Sequence, residues 1–512
     1  MKLKLLCDAA GIDCQAEFFE LEIGDICTDS RQRMQRAMFV CVRGTHVDSH
    51  NYIEQAIEQG AVCILTDCDY FAKEWQEGIV YLQCEDPRQA LAHMWHAWYG
   101  FPCNDLKIIG VTGTNGKTSV AHMLRTILRT SWHTCGIIGT VGCESESGVI
   151  ESSDGVGLAN LTTPDPRDLY RIFAQMRDEG VEYIVMEVSS HALVLGKLAP
   201  ITFEAAVFTN LTPEHLDFHK TMDAYAAAKA MLFQKTKLAV GNADSPYCDK
   251  ILGEAICRCV TCTAKGADAD YAATEIELPS QNGVAYRLSS RLTHLRISCP
   301  IAGEFTVMNS MQAAVCALEL GCSPAAVKTA LATMGGVKGR MERVRLGLEA
   351  DFSVLIDYAH TPDALEKLLL TARNLVQKGG RTVVLFGCGG DRDQSKRAVM
   401  GEIATRLADH VIITSDNSRG EDPMKIICQI VAGIPPQKAY TVIPDRAAAI
   451  RYAVENAKAG DLILLAGKGH EEYEIVGGER RPFCEGSLVK EAFRARMRVQ
   501  NGEDTTKGEP TV

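Results

Sequence analysis

The 512-residue sequence lacks several features that would point to particular classes of function. It contains no apolar run that approaches the ~18 residues of a membrane-spanning helix. Its start, Met1 to Asp8, reaches an aspartate before an apolar segment develops, unlike an export signal. Positive charge is also scarce, because 53 Lys and Arg stand against 65 Asp and Glu and leave a net charge of −12. We therefore expect no membrane span and no nucleic-acid partner.

The cysteines lack the paired spacing that marks a disulfide framework or a zinc site. Twenty of them are scattered singly, often within apolar segments such as Phe39 to Val42. This usage predicts reduced cysteines in hydrophobic cores and a cytoplasmic protein. An apolar content of 46% with 23% charged residues is that of an ordinary globular chain, and the length predicts about three domains.

The most informative segment is the apolar run Leu106 to Thr112, which leads into a glycine loop that ends in Lys117 and Thr118. Apolar residues then follow at helical spacing, namely Val120, Met123, Leu124, Ile127 and Leu128. The order of strand, loop and helix predicts a triphosphate site with loop amides, a lysine for phosphate charge and a hydroxyl for Mg²⁺. A strict phosphate-loop pattern requires glycine where this chain has Val111. The order of the elements still favours this interpretation over a plain βα turn with a surface lysine.

Three α/β domains are predicted along the chain. Residues 1–100 form a small α/β domain with strands near 37–42 and 60–65. Residues 101–337 form a doubly wound parallel sheet of the phosphate-loop type, with antiparallel strands near 260–300. The glycine-rich, charged segment from Gly335 to Arg343 predicts a hinge, and residues 338–512 form a Rossmann-like α/β domain. A disordered tail is expected from Asn501 to Val512.

Polar residues cluster where the predicted strands end, which is where ligands bind in open α/β sheets. In the central domain these are Glu187 to His191, Asn210 to His219 and the loop that contains Thr162 and Thr163. Glutamate and histidine beside phosphate oxygens suit Mg²⁺. Each histidine taken alone is better explained as a hydrogen-bonded loop residue, but their joint placement at strand ends beside a phosphate loop favours metal binding. Residue chemistry alone explains Lys229 as a lysine at the edge of a half-buried helix face.

In the third domain, four apolar strands each lead into a polar loop with arginines, amides and carboxylates. These features suit a small zwitterionic molecule with several charges. The loops are Asp357 to His360, Gly389 to Arg392, Asp416 to Arg419 and Gly467 to Glu471.

Together these motifs resemble the Mur ligases along nearly the whole chain, and among them the UDP-N-acetylmuramoyl-tripeptide synthetases. Further matching signatures are Asp29-Ser30-Arg31, Tyr225 to Lys229, and Asn309. The resemblance implies that ATP phosphorylates a carboxylate of UDP-N-acetylmuramoyl-L-alanyl-D-glutamate. An amino acid then attacks the acyl phosphate and displaces phosphate.

The resemblance also implies roles for individual residues. The catalytic residues are Lys117, Glu187, His215 and Lys229. The ATP site comprises Gly113, Thr114, Asn115, Gly116, Lys117, Thr118, Ser119, Asn309, Arg340, Asp357 and His360. The UDP-substrate site comprises Ser30, Arg31, Thr162, Thr163, Ser189 and Lys197. The acceptor site comprises Arg392, Asp416, Asn417, Arg419, Gly467 and Glu471. Thr118, Glu187, His215 and a carbamylated Lys229 (N6-carboxylysine) would bind Mg²⁺.

The predicted acceptor is meso-diaminopimelate, which differs from lysine by a distal carboxylate. Arg419, Arg392 and Asn417 would bind that carboxylate, and Glu471 the distal ammonium. Alternatives are an L-lysine-adding enzyme, a folylpolyglutamate synthetase, and a catalytically silent nucleotide or UDP-sugar sensor. The sequence departs from the family pattern where Lys197 replaces an arginine, where Ser418 replaces a proline, and from Pro482 to Ser487. A monomer is expected.

Overall fold

The computed structural model describes residues 1–44, 47–68, 76–152, 161–278, 283–347 and 349–500. The predicted tail from Asn501 to Val512 lies outside these ranges. Within them, the strands form an N-terminal, a central and a C-terminal sheet and a separate hairpin, which confirms the predicted α/β fold class. Among the described helices, none has both the length and the apolar content needed to cross a membrane.

The N-terminal sheet is parallel, in the order β1-β2-β3-β4. Its strands are β1 (Ile26–Cys27), β2 (Ala37–Val40), β3 (Ala61–Asp67) and β4 (Val80–Cys84). The accompanying helices are α1 (Leu3–Ala10), α2 (Ile53–Glu58) and α3 (Pro87–Trp98). Short 3-10 helices span Ala16–Phe18, Ser49–Tyr52 and Pro102–Asn104. The two predicted strands are confirmed with shifted ends, whereas β1 and β4 were not predicted.

The central sheet runs in the order β14-β13-β12-β11-β10-β9-β5-β8-β6-β7. Its strands are β5 (Lys107–Thr112), β6 (Cys135–Gly139), β7 (Gly142–Glu144), β8 (Tyr183–Glu187), β9 (Ala205–Phe208), β10 (Leu238–Asn242), β11 (Arg258–Thr263), β12 (Tyr271–Glu277), β13 (Val284–Ser289) and β14 (His294–Cys299). Neighbouring strands in the part of this order that runs from β12 to β6 pair in parallel. The antiparallel pairs are β6 with β7, β12 with β13, and β13 with β14. The predicted antiparallel segment is therefore confirmed for β12 to β14 but not for β11.

Helices cover both faces of the central sheet. They are α4 (Lys117–Thr130), α5 (Pro166–Asp178), α6 (Ser190–Val194), α7 (Leu216–His219), α8 (Met222–Phe233), α9 (Cys248–Leu252), α10 (Phe305–Glu319) and α11 (Pro324–Thr333). In β5, Ile108 belongs to one core and Ile109 to the other, as alternation along a strand requires. The first core also contains Leu6 and Trp95 of the N-terminal region. The N-terminal and central sheets therefore share one hydrophobic core.

The C-terminal sheet runs in the order β15-β16-β20-β17-β18-β19, with β15 antiparallel. Its strands are β15 (Glu342–Arg343), β16 (Ser353–Asp357), β17 (Thr382–Phe386), β18 (His410–Ile413), β19 (Thr441–Val442) and β20 (Leu462–Ala466). The hairpin comprises β21 (Tyr473–Val476) and β22 (Glu479–Pro482). The helices are α12 (Pro362–Leu375), α13 (Lys396–Leu407), α14 (Pro423–Val431), α15 (Arg446–Glu455) and α16 (Glu485–Gln500). Two separate cores cover the faces of this sheet.

The apolar face predicted for α4 packs fully into the core. Leu124 is completely buried there, whereas Leu370 on α12 is 47% exposed. We expect Leu124→Ala to destabilise the protein by about 2–5 kcal/mol, because it leaves a cavity between α4 and the sheet. Urea unfolding followed by fluorescence measures this as a lower transition midpoint. The matched control Leu370→Ala should leave that midpoint nearly unchanged, and equal shifts in the two variants would contradict the packing described here.

Candidate active site

The phosphate loop joins β5 to α4, and its two glycines adopt conformations that favour glycine. Gly113 has φ +149° and Gly116 has φ +89°. A Cβ at Gly113 would collide with the hydroxyl of Thr209, and one at Gly116 would lie 2.7 Å from Oδ1 of Asn309. The backbone therefore approaches both neighbours more closely than any side chain would permit.

Residues that follow β9 brace this loop from the side. Asn210 accepts a hydrogen bond from the Asn115 N–H at 3.0 Å and donates one to the Asn115 carbonyl at 2.9 Å. The Thr209 hydroxyl donates to the same carbonyl at 2.6 Å. The first turn of α4 follows, with Lys117, Thr118 and Ser119. Side chains that follow the neighbouring strand β9 thus fix the conformation of the loop.

Lys117 folds back over the loop that precedes it. Its Nζ donates to the carbonyls of Gly113 and Thr114, both at 2.9 Å. Burial lowers the pKa of Lys117, although the carboxylates of Glu214 and Glu187 act in the opposite direction. This arrangement places a cation at the mouth of the loop, and its role in phosphate binding stays a prediction.

Glu187, at the carboxyl end of β8, is a buried carboxylate with a defined orientation. The backbone N–H and the hydroxyl of Thr140 donate to its two oxygens, at 2.9 Å and 3.0 Å. Gly139 makes room for this carboxylate, because a Cβ there would collide with Oε1 and lie 2.9 Å from Cδ. Thr140 is a site residue that sequence reasoning missed, since no motif marks it.

Lys229 is buried within α8, with 1% of its surface exposed. Its Nζ lies 3.0 Å from the carbonyl of Gly113 and 4.6 Å from the centre of the Tyr225 ring. Burial, followed by the charge of Lys117, lowers the pKa of Lys229 well below its usual value. The expectation of a lysine at a half-buried helix edge is therefore wrong, because the side chain is buried against the end of β5 and the phosphate loop.

Glu214 links the central sheet to the C-terminal one and was also missed as a site residue, although it lies within a quoted motif. Its Oε1 is 3.2 Å from Nε2 of His360 and its Oε2 is 3.8 Å from Nε2 of His215. Burial would raise the pKa of Glu214, but the hydrogen bond to His360 and the charges of His360, His215 and Lys117 outweigh it and lower that pKa. His215, one of the predicted metal ligands, stands beside this carboxylate.

Two further contacts join the phosphate loop to the C-terminal region. The Arg340 guanidinium donates to the Thr118 hydroxyl at 2.9 Å, and the Asn115 amide donates to Asp363 at 2.7 Å. Asp357 stabilises the Arg340 segment, since it accepts from the backbone N–H of Met341 at 2.8 Å. The predicted ATP-site residues are thus brought together from two sheets.

The predicted UDP-substrate residues divide into two groups. Thr163 and Ser189 lie beside Glu187, and the hydroxyls of Thr162 and Thr140 are 3.2 Å apart. Lys197 forms an ion pair with Asp165 at 2.6 Å. In contrast, the Ser30 hydroxyl donates to Gln55, and Arg31 pairs with Asp29. No hydrogen bond or ion pair within the described ranges joins Ser30 or Arg31 to the other group.

The predicted acceptor residues converge at the carboxyl ends of β18 and β20. The Asn417 amide donates to Glu471 at 2.7 Å, and a Cβ at Gly467 would lie 2.6 Å from Oδ2 of Asp416. Arg419 donates to the carbonyl of Gly390 at 2.9 Å, which draws the loop of Arg392 towards that of Asn417. Burial and the charge of Asp416 raise the pKa of Glu471.

Buried cations beneath these loops were not predicted. Arg397 is completely buried and donates to both oxygens of Glu421, at 2.8 Å and 2.9 Å, and to the Gly389 carbonyl at 3.0 Å. Arg446 pairs with Glu485 at 2.8 Å and donates to the carbonyl of Ala466. The Pro482 to Ser487 segment, which departs from the family pattern, thus supplies a carboxylate to a buried arginine.

Comparisons with known proteins match three family models in order along the chain. These are "Mur ligase family, catalytic domain" over residues 22–99, "Mur ligase middle domain" over 111–317, and "Mur ligase, glutamate ligase domain" over 339–469. The chain belongs to the Mur ligase family. The family predicted from the sequence is therefore confirmed.

Two curated relatives of this Mur ligase carry the same name. A protein of Syntrophomonas wolfei is 39% identical, with 97% of this chain and 100% of the relative aligned. One of Caldanaerobacter subterraneus is 41% identical, with 92% and 95% aligned. Both are named UDP-N-acetylmuramoyl-L-alanyl-D-glutamate--2,6-diaminopimelate ligase. A solved structure of a ligase with that name is 29% identical with a TM-score of 0.66, and covers 97% of this chain and 100% of its own.

The close contact between Gly139 and Glu187 yields a test of the site. We expect Gly139→Ala to displace the Glu187 carboxylate and to lower ATP-dependent ligation about a hundredfold, since small misplacements at a reacting centre have effects of this size. Gly486→Ala is the matched control, because a Cβ there meets only Cδ1 of Ile356, at an ordinary contact distance of 3.9 Å. Steady-state rates decide, and equal activity in the two variants would show that the position of Glu187 is unimportant.

Proposed function

We propose that this Mur ligase joins meso-2,6-diaminopimelate to UDP-N-acetylmuramoyl-L-alanyl-D-glutamate with consumption of ATP. The observation that carries the proposal is the acceptor site, where Arg419, Asn417 and Glu471 lie together at the ends of β18 and β20. Guanidinium and amide donors beside a carboxylate suit an amino acid with a second carboxylate and a second ammonium. The names of the relatives support the same substrate pair.

The central site fits Mg²⁺ in addition to ATP. Each oxygen of Glu187 accepts one hydrogen bond from Thr140 and retains a free lone pair. The described residues contain no group of three or more His, Cys, Asp or Glu side chains that could hold a metal ion. Mg²⁺ does not require such a group, because water and phosphate oxygens complete its coordination shell. Thr118 and Glu187 would hold one Mg²⁺, and His215 and Lys229 as a carbamate would hold a second. When bound, Mg²⁺ neutralises charge on the phosphates.

We propose that Lys229 carries a carbamate. Its lowered pKa favours the neutral amine, whose lone pair attacks CO₂ to form an N–C bond with release of one proton. The carbamate is an anion that attracts Mg²⁺, whereas an unmodified ammonium at the same position would repel it. The nearby Tyr225 ring and the Gly113 carbonyl fix the position of this side chain.

The proposed reaction gives each group of residues a role. Lys117 and the loop amides bind the phosphates of ATP, while Thr162, Thr163, Ser189 and Lys197 bind the muramoyl-dipeptide. The dipeptide carboxylate attacks the γ-phosphorus, ADP leaves, and an acyl phosphate remains. The amine of diaminopimelate attacks the acyl carbon, loses a proton and displaces phosphate. Ser30 and Arg31 would bind the UDP part, and Asn309, Arg340, Asp357 and His360 the nucleoside of ATP.

The division into domains at 1–100, 101–337 and 338–512 is part of this proposal. It is supported by the three sheets and by the three matched family models. The phosphate loop and the acceptor loops then lie on different domains, so closure between them assembles the reacting groups. The cytoplasmic location and the monomeric state stay predictions, and sedimentation tests the latter.

Lys229→Ala tests the carbamate. We expect ligation to fall by at least about a hundredfold, because the anion that would hold the cation is lost, while nucleotide still binds. Added formate or acetate should restore part of the rate by supplying a carboxylate. The exposed Lys490→Ala is the control, with normal rates expected. Full activity of Lys229→Ala without added carboxylate would refute the proposed modification.

Arg419→Ala tests the acceptor. Lysine would leave Arg419 without its carboxylate partner, and a lost hydrogen bond to a buried charge costs roughly 1.5–3 kcal/mol, or about ten- to more than a hundredfold. The parent enzyme should therefore prefer meso-diaminopimelate over L-lysine by that factor in kcat/KM. The variant should lose most of this preference.

The same assay separates the alternatives. A parent enzyme that prefers lysine, or a variant with unaltered preference, would mean that the acceptor site is misinterpreted. A folylpolyglutamate synthetase would use glutamate and a folate. A silent sensor would release no phosphate from ATP even with both other substrates present.

A further inference from the structure

Lys468 is a buried cation in the acceptor region that the proposed reaction does not use. It follows β20, and none of its surface is exposed. Its Nζ donates to Oδ1 of Asn417 at 2.9 Å and to the carbonyl of Tyr473 at 2.8 Å. Oxygens of Asp416 and Glu471 lie 3.6 Å and 3.9 Å away. A buried ammonium persists only where its donors are satisfied, so this environment holds Lys468 in one position.

The contacts of Lys468 determine which way the Asn417 amide points. Oδ1 of Asn417 accepts from Lys468 and also from the Ile475 backbone N–H at 3.0 Å, while Nδ2 donates to Glu471 at 2.7 Å. An ammonium and a backbone N–H have no lone pair to offer. A flipped amide would place its NH₂ against two donors and its oxygen against a carboxylate. Only one orientation is therefore compatible with these neighbours.

This orientation limits what Asn417 can offer to a substrate. Both lone pairs of Oδ1 are used, whereas one of the two Nδ2 hydrogens has no partner among the described residues. Asn417 can thus donate to a ligand but cannot accept from it. Asp416 and Glu471, when ionised, only accept.

We propose that Lys468 is a positioning residue that fixes Asn417 as a hydrogen-bond donor to a carboxylate of the acceptor amino acid. Lys468 contacts no substrate itself and acts through the amide. Selection of a dicarboxylic diamine then depends on Lys468 as well as on Arg419. This inference rests on the proposed function, since it assumes that the amino acid binds at these loops.

The test uses the full-length enzyme with Lys468→Met, which keeps the length of the side chain and removes its donors. We expect KM for meso-diaminopimelate to rise by at least about tenfold, the effect of losing a hydrogen bond to a charged group. KM for ATP and for the UDP-substrate should change much less, because among the described residues the Lys468 ammonium forms no hydrogen bond or ion pair with the residues proposed to bind either one. Lys490→Met, an exposed lysine on α16, is the matched control and should behave as the parent.

A second variant separates positioning from a general effect of charge. If Lys468 acts through Asn417, then Lys468→Met should add no further rise in KM when it is combined with Asn417→Ala. An additive rise in the double variant, or an unchanged KM in a folded Lys468→Met, would overturn the proposal. A parent enzyme that does not use diaminopimelate at all would instead refute the proposed function.

Asn417→Asp covers the case in which Lys468→Met does not fold. This variant keeps a partner for Lys468 and nearly the same shape, but it replaces the donor by a second acceptor. KM for meso-diaminopimelate should rise at least as much as expected for Lys468→Met in the folded variant, although the thermal unfolding temperature should fall because the new oxygen faces the Glu471 carboxylate. An unchanged KM would show that Asn417 does not donate to the acceptor, and the proposal would fail.

Discussion

Two lysine side chains converge on one backbone carbonyl, and the rest of the central site is arranged around that constraint. Lys117 and Lys229 both donate to the carbonyl of Gly113, at 2.9 Å and 3.0 Å. Two ammonium groups so close together in a buried site repel strongly, so at least one amine is driven towards its neutral form. Burial first, and the charge of Lys117 second, lower the pKa of Lys229 well below its usual value, whereas the carboxylates of Glu214 and Glu187 oppose the lowering of the pKa of Lys117 by burial. The geometry of the phosphate loop and the reactivity of Lys229 are therefore linked.

The sequence predicted those parts of the site that depend on topology alone. Carboxyl ends of parallel strands share one edge of a sheet, so Glu187, Asp357 and the loops after β17, β18 and β20 were expected at the site and lie there. The apolar face of α4 was predicted from its periodicity and is buried. Patterns of this kind depend on near neighbours in the chain or on the regular geometry of a sheet.

Other parts of the site depend on how separate elements dock, which no local pattern records. The burial of Lys229 depends on how α8 docks against the end of β5 and the phosphate loop, and the hydrogen bonds of Thr140 to Glu187 depend on how β6 approaches β8. The buried ion pair of Arg446 with Glu485 joins residues about forty positions apart in the sequence. The antiparallel segment was predicted to begin at β11, one strand too early in the chain, because a strand's direction depends on the connection that leads into it.

The N-terminal sheet and the C-terminal region contact the central sheet in chemically different ways, and the difference has a consequence for motion. Leu6, Trp95 and Phe173 belong to one core, so the N-terminal and central sheets are joined by apolar packing. Among the described residues, the C-terminal region meets the phosphate loop through polar pairs such as Asn115 with Asp363 and Arg340 with Thr118. Water replaces polar contacts at little net cost, whereas it does not replace apolar ones. The polar contacts of the C-terminal region with the phosphate loop can therefore break and re-form while the apolar packing between the N-terminal and central sheets stays intact.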